Sequence, residues 1–309
     1  MVNRWQRFEY AFLLVVVLAG CGAADNPNET FPGADGRQPV VATTSYPLYK
    51  MASELAGDDV VVEYSVAAGQ TSRTWVPSSE DVQKLQAADV VLLNGAGYEP
   101  WTLKLSLPRS RTIDTSNSYR DRLIQVENTV THQHGPVGQQ SDRGVISTIW
   151  LDPELAAAQL RRVEEQLLRL APEAADAISQ RATAFSNTFD QLDQQLQQLV
   201  ADSAGNTITV FTNETDLQYL ITRLGWQSHQ IQWSEAGRLT EETVNDINTT
   251  SPQLILIHAD CNENRVQVLQ ATGITCVVVD TCESELSGAD SLVARMSGNL
   301  DRLRAGLGR

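Results

Sequence analysis

Residues able to do metal or nucleophile chemistry are few here. The 309-residue chain carries 4 His and 4 Cys, and 38 Asp plus Glu against 23 Lys plus Arg. His132 and His134 flank a single Gln133, a spacing at which two imidazoles can hold a metal transiently. His258 closes the apolar run Leu254 to Ile257 and can reach the end of a strand, whereas His229 sits in polar sequence and carries no signal. Cys261, Cys276 and Cys282 allow any of three single pairings. Cys261 and Cys282 each follow an expected parallel strand closely. If those strands are neighbours, a bridge between them is geometrically reasonable and leaves Cys276 as a buried free thiol. Nothing nominates an enzyme: there is no GxSxG elbow, no phosphate-binding P-loop and no HExxH helix. Gly95-Ala96-Gly97 lacks the third glycine of a dinucleotide fingerprint, and Glu164-Glu165 and Glu241-Glu242 read as helix surface. The net charge of −15 argues against nucleic acid as a partner, and the scarcity of His and Cys against zinc fingers and iron–sulfur clusters.

The first residues read as an export address. Arg4 and Arg7 precede the apolar run Ala11 to Ala19, which is too short for a permanent membrane span. It ends in Leu18-Ala19-Gly20-Cys21, the pattern of a bacterial lipobox, so residues 1–20 are expected to be a signal peptide and Cys21 the lipid-modified new N-terminus. Residues 21–38, rich in Asn, Asp, Pro and Gly, are expected to be a flexible tether to the membrane. The body is then exported and faces the periplasm or the cell exterior, where thiols can oxidise.

Strand and helix signals alternate through the body. Val40 to Thr44, Val60 to Val66 and Val90 to Asn94 are short buried-looking strands, and helices are expected over Leu48 to Ala56 and Asp81 to Ala88, the second capped by Ser78 or Ser79. The theme repeats with strands at Thr207 to Phe211, Leu254 to His258 and Thr275 to Asp280. Helices are expected at Asp216 to Leu224, Val266 to Ala271 and about Ala289 to Leu307. Between the halves, Leu155 to Leu170 is helical, and after Pro172 a second helix continues to about Val200 with apolar residues at helical spacing. The fold class is therefore α/β: two doubly wound parallel-sheet lobes, 39–171 and 202–309, joined by a long backbone helix over 172–201. Ligands of such sheets bind beyond the carboxyl ends of the strands, where two lobes can face one another.

Three segments carry a family resemblance: Val41 to Leu48, Asn94-Gly95-Ala96-Gly97-Tyr98-Glu99-Pro100-Trp101, and Ile149-Trp150-Leu151-Asp152-Pro153. With Val279-Asp280 and Asn299-Leu300 they resemble, in order and spacing, the zinc/manganese solute-binding lipoproteins of bacterial ABC importers. The resemblance implies a divalent metal, zinc or manganese, carried as transported ligand in the interlobe cleft. It also implies delivery to an ABC permease and its ATPase by a monomeric, membrane-anchored receptor, with His132 and His134 where relatives carry a metal-gathering loop.

Departures from the family pattern fall on the ligands. The family binds metal through three His and one acid. The corresponding positions here are Arg73, Thr148, Glu214 (Asn213 if the register shifts by one) and Asp280. Glu214 and Asp280 can ligate a metal, and oxygen-rich sets suit manganese better than zinc. Arg73 cannot, because guanidinium keeps its charge and offers no acceptor. Its expected role is to replace the ion and pair with Glu214 and Asp280. The alternatives are a receptor of the same fold that has lost metal and takes another ligand, or a surface interaction or adhesion lipoprotein.

Overall fold

Continuous Val, Ile and Leu runs become strands, and the central ones are covered on both faces. The computed structural model describes residues 37–127, 143–203, 207–285 and 291–308. The expected signal segment, Cys21 and the pair His132 and His134 lie outside them. One sheet contains β1 (Val40–Thr43), β2 (Val61–Tyr64), β3 (Val90–Leu93) and β4 (Thr112–Asp114), all parallel, in the order β2-β1-β3-β4. β5 (Gln125–Glu127) and β6 (Arg143–Val145) form a short antiparallel pair. The other sheet holds β7 (Thr209–Thr212), β8 (Gln227–Gln230), β9 (Leu254–His258) and β10 (Cys276–Val279), again parallel, in the order β10-β9-β7-β8. The two sheets share one topology. In each, the first strand has the second on one side and the third on the other, which opens a crevice at the carboxyl ends beside the first strand.

The helices start and stop where local chemistry dictates. α1 (Tyr46–Ala56) is capped by the Ser45 hydroxyl, carries Pro47 in its first turn and ends at Gly57, whose φ of 53° suits glycine. α2 (Ser79–Ala87) opens on a reciprocal capping box between Ser78 and Asp81. α3 (Pro153–Leu170) is capped by Asp152, which accepts from the backbone N–H groups of Glu154 and Leu155. After Pro172, α4 (Ala175–Asp202) runs 28 residues, about 42 Å at 1.5 Å per residue. α5 (Gln218–Arg223), α6 (Glu241–Thr250), α7 (Glu263–Gln270) and α8 (Leu292–Gly306) complete the chain. Near the start of α4, Arg181 donates to the Leu55 and Ala56 carbonyls at the end of α1. Near its other end, Gln195 meets Ser297 and Arg304 of α8. The long helix thus spans from one lobe to the other, with α3 packed alongside it.

Alternate residues of each central strand face different apolar clusters. Val210, Leu254, Leu256, Val277 and Val279 join a core shared with Val41, Leu92 and the inner faces of α1, α3, α4 and α8. Phe211, Ile255 and Ile257 face away, toward Leu269 and Ile231. In the first sheet Ala42 and Val91 likewise turn outward to Leu85, Ala88 and Trp101. Burial on both faces explains why these strands show no apolar–polar alternation.

Three features depart from expectation. The segment expected as one helix from Asp216 splits into a 3₁₀ turn, Thr215–Leu217, followed by α5. β8, with the polar sequence Gln227-Ser228-His229-Gln230, is recognisable only from its register against β7, because an edge strand needs little apolar surface. The Cys261–Cys282 bridge does not form: Cys261, Cys276 and Cys282 are free thiols. Cys282 is buried in the shared core, whereas Cys261 and Cys276 pack on the outer face of the second sheet, so the sheet itself lies between the proposed partners. Cys276 is only half-buried.

Candidate interlobe cation site

At the switch point of the second sheet, the residues following β7 and β9 line a polar cavity of about 220 Å³. Asn213 and Glu214 come from the end of β7, His258 from the last position of β9, Asp260 and Cys261 from the loop after it. Asp216 enters from the 3₁₀ turn and Glu283 from the loop after β10, while Thr71 and Arg73 reach over from the first lobe. Ligand atoms of Asp216, His258 and Glu283 all lie within 4.8 Å of one another.

Arg73 sits among these groups. Its Nη1 donates to Asp216 Oδ1 at 3.0 Å and its Nη2 to Glu283 Oε1 at 2.8 Å, with the guanidinium carbon 5.4 Å from the centroid of the Tyr98 ring. Its main chain is held by the indole N–H of Trp101, which donates to the Ser72 carbonyl at 3.0 Å, and by an edge-to-face contact between Trp75 and Trp101. Burial disfavours the Arg73 charge, but the Glu283 and Asp216 carboxylates outweigh it and raise its pKa. Glu283 is likewise buried, yet its hydrogen bond to His258 and the charge of Arg73 hold it below the usual glutamate range. Burial opposes protonation of His258, while Glu283 overcomes it and raises the pKa.

Donor directions rank the groups as metal ligands. His258 Nδ1 accepts from the Asp260 backbone N–H at 3.1 Å, so the neutral ring carries its proton on Nε2, toward Thr281 Oγ1 (3.2 Å) and Glu283 Oε2 (3.5 Å). An ion at Nε2 would have to displace that proton and turn Nδ1–H against another N–H, so the imidazole is the least ready ligand. Glu214 is free of such commitments: among the described residues its carboxylate has no hydrogen-bond or ion-pair partner. Burial, reinforced by the charge of Asp216, raises its pKa, and a cation would relieve both effects.

Two of the four family positions, Arg73 and Glu214, do line this cavity. Thr148 is buried beside it and donates to the Asp216 carbonyl at 2.5 Å, positioning the 3₁₀ turn instead of facing the cavity. Asp280 is committed elsewhere: Arg295 binds it through Nε (2.7 Å) and Nη2 (2.8 Å), and Asn299 holds its backbone on both sides. Arg295 keeps the Asp280 carboxyl below the ordinary range despite burial. The expected pairing of Arg73 with Glu214 and Asp280 is therefore corrected to Asp216 and Glu283. In the sequence Asp216 opens a helical pattern and Glu283 belongs to no motif, whereas His258 stands out at a strand end.

Two parallel α/β lobes with ligand groups gathered between their strand ends define a two-lobed solute receptor. The chain belongs to the family described as zinc-uptake complex component A, periplasmic, whose sequence model matches residues 40–306. It is 22% identical over 311 residues to the manganese-binding lipoprotein MntA of Halalkalibacterium halodurans, covering 97% of this chain and 98% of that one. Its fold is similar to FpvC of Pseudomonas aeruginosa, solved in complex with Mn²⁺ (TM-score 0.73, 18% identity, 88% of this chain and 99% of that one). It is also similar to the Zn(II)-bound ZnuA-like domain of Streptococcus pneumoniae AdcA (TM-score 0.70, 19% identity, 88% and 100%).

Proposed function

We propose that this chain is the extracytoplasmic solute-binding component of an ABC importer, capturing a divalent metal of the zinc or manganese class between its lobes. The observation that carries the reading is the convergence of Asp216, His258 and Glu283 in one interlobe cavity, with the uncommitted Glu214 beside them. The ready donors are carboxylates, which favours manganese over zinc. In this reading the lobes are residues 39–171 and 202–309, joined through 172–201, and Cys21 bears the lipid anchor. The receptor is a monomer that hands its cargo to a permease driven by an ATPase, without catalysis and without nucleic acid. Calorimetric titration of Mn²⁺ and Zn²⁺ tests it: one site is expected, abolished by Asp216→Asn and by Glu283→Gln. Binding that survives both substitutions overturns the site.

A second reading has one observation behind it, the Arg73 ion pairs inside the cavity. A receptor that has given its ion position to Arg73 would take a ligand with an anionic group, or serve as a surface interaction lipoprotein. It predicts no thermal stabilisation by any divalent metal, since a ligand of the folded state raises the melting point.

A further inference from the structure

We infer that Arg73 is a tethered competitor for the cargo: a divalent cation enters only by displacing the guanidinium from Asp216 and Glu283. This rests on the reading of the cavity as a cation site. Arg73 bridges two of the three residues whose ligand atoms cluster, at 3.0 and 2.8 Å, so ion and guanidinium cannot use the same oxygens together. The carboxylate partners belong to the second lobe and Arg73 to the loop after β2, which makes the pair a clasp across the cleft.

The clasp is built so that the side chain can leave while its backbone stays. Trp101 and Trp75 fix the loop from behind, and the Arg73 side chain remains 34% exposed, against 5% for Glu283. Arginine keeps its charge throughout the physiological range, so loss of its own proton does not open the clasp and a cation must compete for the carboxylates. A monovalent ion would exchange one unit charge for another while losing two charge-assisted hydrogen bonds in fork geometry, whereas a divalent ion brings twice the charge to the same oxygens. Arg73 thereby sets a threshold that selects for divalent cations, lowers their affinity and keeps the empty receptor closed.

The test is calorimetric titration of Mn²⁺ and Zn²⁺ into the full-length protein, the Arg73→Gln and Arg73→Lys variants, and Asp216→Asn. Arg73→Gln is expected to bind at least tenfold tighter than the parent. Arg73→Lys, which keeps the charge but cannot bridge both carboxylates as a fork, is expected between the two. Should Arg73→Gln fail to fold, the lysine variant alone decides, and it must exceed the parent. Equal or weaker binding in the variants, with the parent binding metal through Asp216, overturns the competitor role and leaves the cation site standing. Absence of metal binding in parent and Arg73→Gln alike overturns the cation site, and the inference with it.

Discussion

At the scale of single residues, the buried carboxylates Glu99 and Glu283 and the largely buried Asp280 are each held by specific partners, and the partners differ. Asp280 is paired with Arg295, and Asp216 and Glu283 share the single charge of Arg73. Glu99 has no cation. Its Oε1 accepts from Thr44 Oγ1 (2.5 Å) and the Asn94 N–H (2.7 Å), and its Oε2 from the Gly95 N–H (3.2 Å). Burial outweighs these three donors and pushes its pKa up to about 7. In the unfolded chain a glutamate titrates at about 4.3, so as pH falls the folded state takes up this proton first. The contribution of Glu99 to stability therefore improves from pH values above 7 down to about 4.3, the direction opposite to that of a salt-bridged carboxylate. Glu99→Gln should remove this dependence and confront a backbone N–H with an amide NH₂, a loss of about 1–3 kcal/mol. Urea denaturation should show a larger deficit for the variant at about pH 5 than at about pH 8. An equal deficit at both would mean that Glu99 stays ionised throughout.

At the scale of elements, the turn after β3 shows how a short segment sets the packing inside the first lobe. Gly95 has φ 77°, and a Cβ there would lie 1.9 Å from Asp114 Oδ1 and 2.4 Å from Ser116 Oγ. The turn can hug β4 only because no side chain intervenes, and Glu99 and Asn94 then close it from inside. Gly95→Ala should cost about 1–3 kcal/mol from backbone strain alone and more if Asp114 must move. Thermal unfolding would report it as a lowered melting point, and an unchanged one would show that the turn can relax. Much at this scale was legible in the sequence. Leu254 to His258 stands out as a strand because it is apolar on both faces, and α2 because Ser78 and Asp81 spell a capping box. β8 was not legible, because its four residues are polar and its stability comes from hydrogen bonds to β7. The Thr215–Leu217 turn was hidden inside a helical pattern and is pinned from the other lobe by Thr148.

At the scale of the whole molecule, the lobes meet through a few directional contacts laid over a continuous core. The Trp150 indole N–H donates to the Thr281 carbonyl at 2.7 Å, and the Tyr219 hydroxyl accepts from the Ile124 N–H at 3.1 Å. Gly69 N–H reaches the Glu285 carbonyl at 3.2 Å. Trp150 is fully buried against Tyr98, the ring beneath Arg73, and its carbonyl partner lies two residues before Glu283. Trp150→Phe should keep most of the packing but strand the Thr281 carbonyl, at about 1–3 kcal/mol. It should also weaken metal capture, because Glu283 loses its support. Calorimetry alongside thermal unfolding checks both, and a destabilised variant with unchanged metal affinity would separate the seam from the site.

The sequence by itself determined the α/β class, the doubled sheet and the family, because hydrophobic period, caps and short ordered motifs are local properties of the chain. The resemblance also placed the expected ligand positions at Arg73, Thr148, Glu214 and Asp280, none of them a histidine. Only the tertiary structure decided which carboxylates Arg73 meets. Asp216 and Glu283 are 143 and 210 residues away in sequence, and Asp280, the acid that matched the motif, is turned to Arg295 by a helix later in the chain. Charges pair according to distance and burial after folding, and neither quantity is written in the spacing of residues along the chain.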